Sequence, residues 1–381
     1  MTNTLRALIL GSGFAGQGHA AALRHAGVEI MGMVSRTRDV VEQVAASLEI
    51  PYAGTDWEQA LVDLQPDIVA IGTPGGVHYE PILAALAHGC HVYCDKPLAA
   101  TAVQAKTLYQ KAQEAGVKTA YAASYRYMPH VLLAKELVAQ GAIGEPLEVE
   151  CISHFNLDPL IPFGWSHRLE QGGGRLNNNF THKLSVVLQV LAGAVTAVFG
   201  STRNDMPRAP IVTGVHHFRE RHNFIPKSAD DPNLEWAEAN AEWSYTVLAK
   251  IMVEQPTAQP ITALFQHSGL QPRFHPDHII FYGREATIYI EGHYGHGPLY
   301  LRPNRSTWQE IPLPAHITAA QPKIADDTQR NWTILAQEFV ADIRGEESRD
   351  YQTFKDGWLY QEIIEAVRQS EHWTDAFIWQ D

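Results

Sequence analysis

Between Leu5 and Ala122 the chain repeats one pattern: a short apolar run, a turn, then apolar residues at helical spacing. The runs are Leu5–Leu10, Val28–Val34, Asp67–Gly72, His91–Cys94 and Lys118–Ala122. Continuous apolar runs this short fit strands buried on both faces of a parallel sheet. Helical spacing follows the first run, through Leu23, and recurs over Tyr79–Ala87 and Thr101–Ala115. Alternating strands and helices predict a doubly wound parallel α/β sheet.

After Gly144 the texture changes. Leu147, Val149, Cys151, Ser153 and Phe155 alternate with their neighbours, as on a half-buried strand. Further strand-like runs are Val195–Ser201, Trp243–Glu254, Ile261–His267, His278–Ile290 and Leu299–Arg302. No helices separate them, which predicts an open, mostly antiparallel sheet. Asn331–Ile343 and Gly357–Gln369 read as helices. The division is an N-terminal α/β domain, 1–124, and a C-terminal α+β domain with a large open sheet, 125–381. The Pro- and charge-rich stretch 204–240 reads as a surface insertion that lines a substrate pocket or an oligomer contact. From Arg175 to Leu191, apolar Leu176, Phe180, Leu184, Val187, Leu188 and Leu191 form one helical stripe. Asn178 and His182, four apart, share another face, free to meet a cleft. Ahead of them runs GGG (Gly172–Gly174), read as letting backbone pass close to a bulky ligand.

The first strand ends in Gly11-Ser12-Gly13-Phe14-Ala15-Gly16, which opens a helix. This is G-x-G-x-x-G in the setting of a Rossmann dinucleotide-binding domain: a tight turn, a close approach to pyrophosphate, and close packing of helix on strand. The phosphates then meet free N–H groups and the positive end of the helix dipole. The second strand ends at Ser35-Arg36, with Arg38 nearby and no acid to hold a ribose 2′-hydroxyl. A hydroxyl and a guanidinium suit a 2′-phosphate, so NADP is expected ahead of NAD.

The formal net charge is −13, which disfavours nucleic acid or an anionic membrane as partner. Three cysteines, Cys90, Cys94 and Cys151, fit a reducing compartment. The apolar stretch from Ser185 falls short of the ~20 residues of a membrane span. A cytoplasmic protein is the expectation. His88, Cys90, His91 and Cys94 cluster in sequence, but on a strand they do not converge, and no metal is expected. His216, His217 and His222, His275 with His278, and His293 with His296 read as loop histidines lacking acidic partners.

Several motifs in order resemble the Gfo/Idh/MocA family, the glucose–fructose oxidoreductase and inositol dehydrogenase group. They are GSGFAGQGH, the segment TPGGVHYEPILAALAHGCHVYCDKPLA with Asp95-Lys96-Pro97 in place of Glu-Lys-Pro, SYRYMP, GGG before a helix bearing His182, and FYGREATIYIE. The resemblance covers nearly the whole chain and is weakest between Ser201 and Asn240. It implies an oxidoreductase acting on a hydroxyl or ketone of a sugar, cyclitol or other polyol. Periodicity alone leaves His182 open between a half-buried structural histidine and a catalytic one, and Lys96 open to a surface role. The resemblance gives His182 the part of general base and Lys96 that of hydrogen-bond donor to the reacting oxygen. Asn178 stands where the family commonly has Asp, and an amide can orient substrate without accepting a proton. Thr73, Pro74, His78, Asp95, Arg126, Trp165 and Arg168 join the nucleotide side, and Tyr125 the substrate side. Two rival readings are a cofactor-retaining lyase or glycosidase, which oxidises a sugar transiently, and a non-catalytic NADP sensor. A homodimer or homotetramer through the C-terminal sheet is expected.

Overall fold

The first apolar run forms strand β1 (Arg6–Leu10), and the glycine turn leads into helix α1 (Phe14–His25). The computed structural model describes residues 4–215, 218–253, 259–272 and 276–370. Glu254, the expected end of one strand, and His216, His217 and His275 lie outside them. The N-terminal half continues as β2 (Glu29–Val34), α2 (Arg38–Ser47), β3 (Tyr52–Gly54), α3 (Trp57–Leu64), β4 (Ile68–Ile71), α4 (Tyr79–Ala87), β5 (His91–Cys94), α5 (Ala102–Ala115) and β6 (Thr119–Tyr121). Its six strands are parallel in the order β3-β2-β1-β4-β5-β6. The doubly wound sheet is as the alternation predicts. Three of its elements, α2, β3 and α3, carry too little apolar signal to stand out. Helix α2, for example, buries only Val41 and Ala45.

Helix α6 (Pro129–Ala139) links this sheet to β7 (Pro146–His154). Then come α7 (Thr181–Leu191), β8 (Gly193–Arg203), β9 (Arg208–Pro210), β10 (Trp236–Glu238), β11 (Ser244–Val253), β12 (Ile261–Ser268), β13 (His278–Gly283), β14 (Ala286–Glu291), β15 (Leu299–Pro303) and β16 (Gln309–Ile311). Eight strands form the second sheet in the order β16-β15-β14-β13-β7-β12-β11-β8. Every pair is antiparallel except β7 with β12. Strands β9 and β10 pair separately, inside the stretch expected to be an insertion.

Three helices close the described chain: α8 (Ala315–Ala319), α9 (Asp327–Arg344) and α10 (Phe354–Gln369). Helix α9 starts four residues before the expected Asn331, because its polar first turn is capped: Asp326 accepts from the Gln329 N–H at 2.8 Å. Helix α9 returns to the N-terminal sheet. Trp332, Leu335 and Phe339 share a core with Ala20, Leu23, Ile30 and Tyr93. The mouth of the nucleotide loop is thereby walled by a residue from the far end of the chain, Trp332, whose ring lies 5.1 Å from that of Phe14.

The helix expected over Arg175–Leu191 is not uniform. Leu176–Phe180 forms a π-turn, and regular α-helix begins only at Thr181. The stripe is buried as predicted at Leu176, Phe180, Leu184, Val187 and Leu191. The opposite side is buried as well. Lys183 has no exposure and donates to the carbonyls of Gln266 (2.7 Å) and Cys151 (3.3 Å). Ser185 donates to Ala123 O (2.8 Å) and to Gln352 Oε1 (3.0 Å). Helix α7 is a central helix, not a surface one.

Candidate active site

A cleft of about 910 Å³ runs from the glycine turn to the π-turn before α7. Gly11, Ser12, Gly13, Phe14 and Ala15 line one end, with Ser35 and Arg36 beside them. The three glycines do different work. A Cβ on Gly16 would lie 1.9 Å from Gly11 O, and one on Gly11 (φ +111°) would lie 2.8 Å from Gly72 C and O. A Cβ on Gly13 would meet nothing within 4 Å. Gly11 and Gly16 fit protein to protein, while Gly13 opens on the cleft. Helix α1 has no side-chain cap and no acid in its first turn, so its free N–H groups face an anion site. Those residues fit a dinucleotide pyrophosphate.

Other members of the expected set divide. Thr73, Pro74, Asp95, Tyr125, Trp165 and Arg168 line the cleft with Lys96, Asn178 and His182. Three do not. Arg38 is not among the lining residues and bonds Glu42 (3.2 Å) and Thr55 (3.4 Å). Arg126 is buried against Gln189 and Asp350. His78 has no exposure and bonds Thr73 O at 2.7 Å, holding the loop from beneath. Arg38 is the nearest cation after Arg36 in sequence, but it opens α2 and its guanidinium pairs with Glu42 one turn on.

The GGG segment also departs from expectation. A Cβ on Gly173 would press on the carbonyls of Ser166, Trp165 and Arg168, and one on Gly174 (φ +90°) on the Glu242 carboxylate at 2.3 Å. The glycines accommodate the protein itself, not a ligand. The three asparagines that follow explain the π-turn. Asn177 Nδ2 donates to Gly173 O (2.8 Å). Asn178 Nδ2 donates to Gly174 O (2.8 Å) and Gly172 O (3.3 Å). Asn179 joins Tyr294 and Tyr245, donating to one hydroxyl at 2.8 Å and accepting from the other at 2.6 Å.

With its Nδ2 committed to carbonyls, Asn178 turns Oδ1 to the cleft, where it accepts from Lys96 Nζ at 3.0 Å. Burial pulls the Lys96 ammonium below its ordinary 10.5, against the opposing pull of Asp95. Asp95 is itself pushed up by burial. His182 packs edge-on against Tyr125 (4.7 Å between centroids) and Tyr294 (5.2 Å). Its Nδ1 is buried without a hydrogen-bond partner. Burial, then the charge of Lys96, then His293 and His296 hold its pKa well below 6.5. The imidazole is neutral and can accept a proton from something in the cleft.

Two of the histidines expected to lack acidic partners have one. His293 Nδ1 lies 2.8 Å from Asp277 Oδ2, and His278 Nε2 lies 2.7 Å from Glu150 Oε1. Sequence spacing does not show either pair, because Glu150 comes from β7 and Asp277 from the loop that precedes β13, sixteen residues before His293. Among the described residues no group of three or more His, Cys, Asp or Glu is placed to hold a metal ion. Residues that sequence reasoning missed include Phe155, Phe163, Arg175, Arg219, Arg221 and Tyr294. The only signal for two of them was the run FRERH inside the 204–240 stretch.

The sequence profile "Oxidoreductase family, NAD-binding Rossmann fold" matches residues 5–123, and "GFO/IDH/MocA C-terminal domain" matches 131–247. The chain belongs to the Gfo/Idh/MocA family. Levoglucosan dehydrogenase of Pseudarthrobacter phenanthrenivorans is 26% identical over 54% of this chain and 56% of its own. The scyllo-inositol 2-dehydrogenase (NADP(+)) IolW of Bacillus subtilis is 28% identical over 43% of this chain and 45% of its own. The chain thus spans about half the length of these curated relatives. A levoglucosan dehydrogenase solved with NADH and L-sorbose superposes with a TM-score of 0.80 at 19% identity, over 96% of both chains. No helix among the described residues is long and apolar enough to cross a membrane.

Proposed function

We propose that this Gfo/Idh/MocA protein is an NADP-dependent oxidoreductase acting on a hydroxyl or ketone of a sugar, cyclitol or sugar derivative. The observation that carries the reading is the convergence of Lys96, Asn178 and a neutral His182 at one end of the cleft whose other end is the glycine turn. Gly11–Gly16 and the N-terminus of α1 would hold the pyrophosphate. Ser35, which accepts from Ser12 Oγ at 2.9 Å, and Arg36 would hold a 2′-phosphate. When bound, the nicotinamide supplies the hydride acceptor or donor.

The chain's own residues handle the proton. Neutral His182 takes it from the hydroxyl as the carbonyl forms, or returns it in the reverse direction. The Lys96 ammonium donates to the same oxygen and stabilises its developing negative charge. Asn178 Oδ1 holds that ammonium in place without neutralising it, as a carboxylate would. Tyr125, Tyr294 and Phe155 wall the site, which strengthens both interactions by excluding water.

The test is a panel of sugars, cyclitols and keto-sugars, assayed with NADP and NAD in both directions at the absorbance of the reduced cofactor. The reading expects at least one polyol to reduce NADP+, with a higher kcat/KM than for NAD+. Sugar products appearing with no absorbance change would replace it with the cofactor-retaining elimination.

A further inference from the structure

We propose that the substrate carries an anionic group, carboxylate or phosphoryl, bound by Arg175 and Arg221 beside Lys96, with Arg168 at the rim. The inference rests on the reading of this cleft as the site of hydride transfer, and it names the substrate class. The chain has a net charge of −13, yet among the described residues the cleft is lined by Arg36, Lys96, Arg168, Arg175, Arg219 and Arg221 against a single carboxylate, Asp95.

These cations fall into two groups. Arg36 stands at the adenosine end. Arg219 lies over the Phe14 ring at 4.2 Å and donates to Asp326 at 2.8 Å, which places it by the glycine turn with its charge already answered. Lys96 and the other three arginines, Arg168, Arg175 and Arg221, form the second group, and these three arginines have no carboxylate partner among the described residues. The three arginines are held by aromatic faces instead. Arg175 lies over Trp243 (4.5 Å) and Phe155 (5.3 Å), Arg221 over Phe218 (4.2 Å), and Arg168 over Phe163 (5.3 Å). A ring face can hold a guanidinium without using its N–H donors.

Arg175 is the decisive residue. It is 8% exposed, and its Nε and Nη2 are buried without a hydrogen-bond partner. The neighbouring carboxylate, Glu242, is committed elsewhere: it accepts from Leu176 N–H (3.0 Å) and from Arg368 Nη2 (3.0 and 3.3 Å). Burial pulls Arg175 down to about 10, and burial with repulsion from Arg175 pulls Arg221 down to about 9. A buried guanidinium with unmet donors beside a second guanidinium is costly unless an anion joins them. Arg221 keeps one bond, donating Nη1 to Ser166 Oγ at 3.1 Å, and has further donors for the shared anion. A carboxylate or phosphoryl group matches that fork geometry, and a neutral sugar hydroxyl does not.

The experiment is titration calorimetry and turnover on the NADP+-bound protein with four probes: D-galacturonate, D-gluconate, D-glucose 6-phosphate and D-glucose. At least one anionic probe should bind about tenfold or more tightly than glucose, the scale of one charge-assisted hydrogen bond. The carboxylate and phosphate arms show which group the site takes. Arg221→Gln should erase most of the preference with NADPH affinity retained, and Arg221→Lys should restore part of it. Equal affinity for glucose overturns the proposal. So does a loss of NADPH affinity in Arg221→Gln matching the loss for the anion, since the guanidiniums would then serve cofactor phosphates. Anion binding that depends on Arg221, without reduction of NADP+ by any probe, upholds the subsite and removes the dehydrogenase reading. Oxidation of glucose with no preference for the anionic probes does the reverse.

Discussion

Asn178 stands between one cation and two carbonyls, and that position explains why it is an amide. Its Nδ2 must face Gly174 O and Gly172 O, so only Oδ1 is left for Lys96. In Asn178→Asp a carboxylate oxygen meets both carbonyls with no hydrogen between. Leaving those acceptors unmet costs about 1–3 kcal/mol. A lower Tm at neutral pH is expected, with partial recovery on acidification as the carboxyl gains a proton and donates it to Gly174. A higher Tm at neutral pH would contradict this. The two titrating groups set the pH profile. The base must be neutral, and the His182 pKa lies well below 6.5, so kcat/KM should hold as pH falls through 6.5 and decline only further down. The donor must be charged, and burial lowers Lys96, so the alkaline decline should begin below 10.5. A pH series of kcat/KM checks both limbs. The placement of Lys96 and His182 in the cleft was legible through their motif settings. Arg175 and Arg221 were not, because their role depends on aromatic faces from Trp243, Phe155 and Phe218, which are remote in sequence or lie outside any motif.

The element that shapes the site is the π-turn between Gly174 and α7. Its apolar spacing reads as plain helix, because a π-turn keeps the buried stripe in phase while side-chain amides reorganise the backbone. Gly174 shows how tightly it is held. A Cβ there combines a φ of +90° with a 2.3 Å approach to Glu242. Gly89 has a similar φ of +73° with nothing within 4 Å. Gly89→Ala should therefore cost about the 1–2 kcal/mol of left-handed strain alone. Gly174→Ala should cost distinctly more in a denaturant titration, and turnover should fall with it because Asn178 loses its anchor. Equal costs would show that Glu242 moves aside freely. Elements with a strong apolar signal, such as β1 and β5, were legible within a residue at each end. Helices α2 and α3 were not, because so few of their side chains are buried.

At the scale of the molecule, the parallel sheet and the open eight-stranded sheet meet around one cleft whose cationic lining contrasts with an acidic exterior. That field favours entry of an anionic cofactor. The outer face of the large sheet exposes Phe199 and Leu248, directly paired across β8 and β11, together with Met252, at 43%, 42% and 41%. Assembly through this face is our expectation for the homo-oligomer: light scattering should give a dimer or tetramer, and Leu248→Asp should shift it towards monomer. A monomer in the parent protein would refute it. The two-sheet architecture was legible in the switch from continuous to alternating apolar runs. The return of α9 onto α1 was not, since nothing in the sequence of a helix states which sheet it covers. The account stands most directly on His182. Single-turnover hydride transfer in His182→Asn, with NADPH binding measured on the same sample, should slow by about 10²–10⁴-fold at unchanged cofactor affinity. Transfer at the parent rate would remove the imidazole from the reaction and with it the site described here.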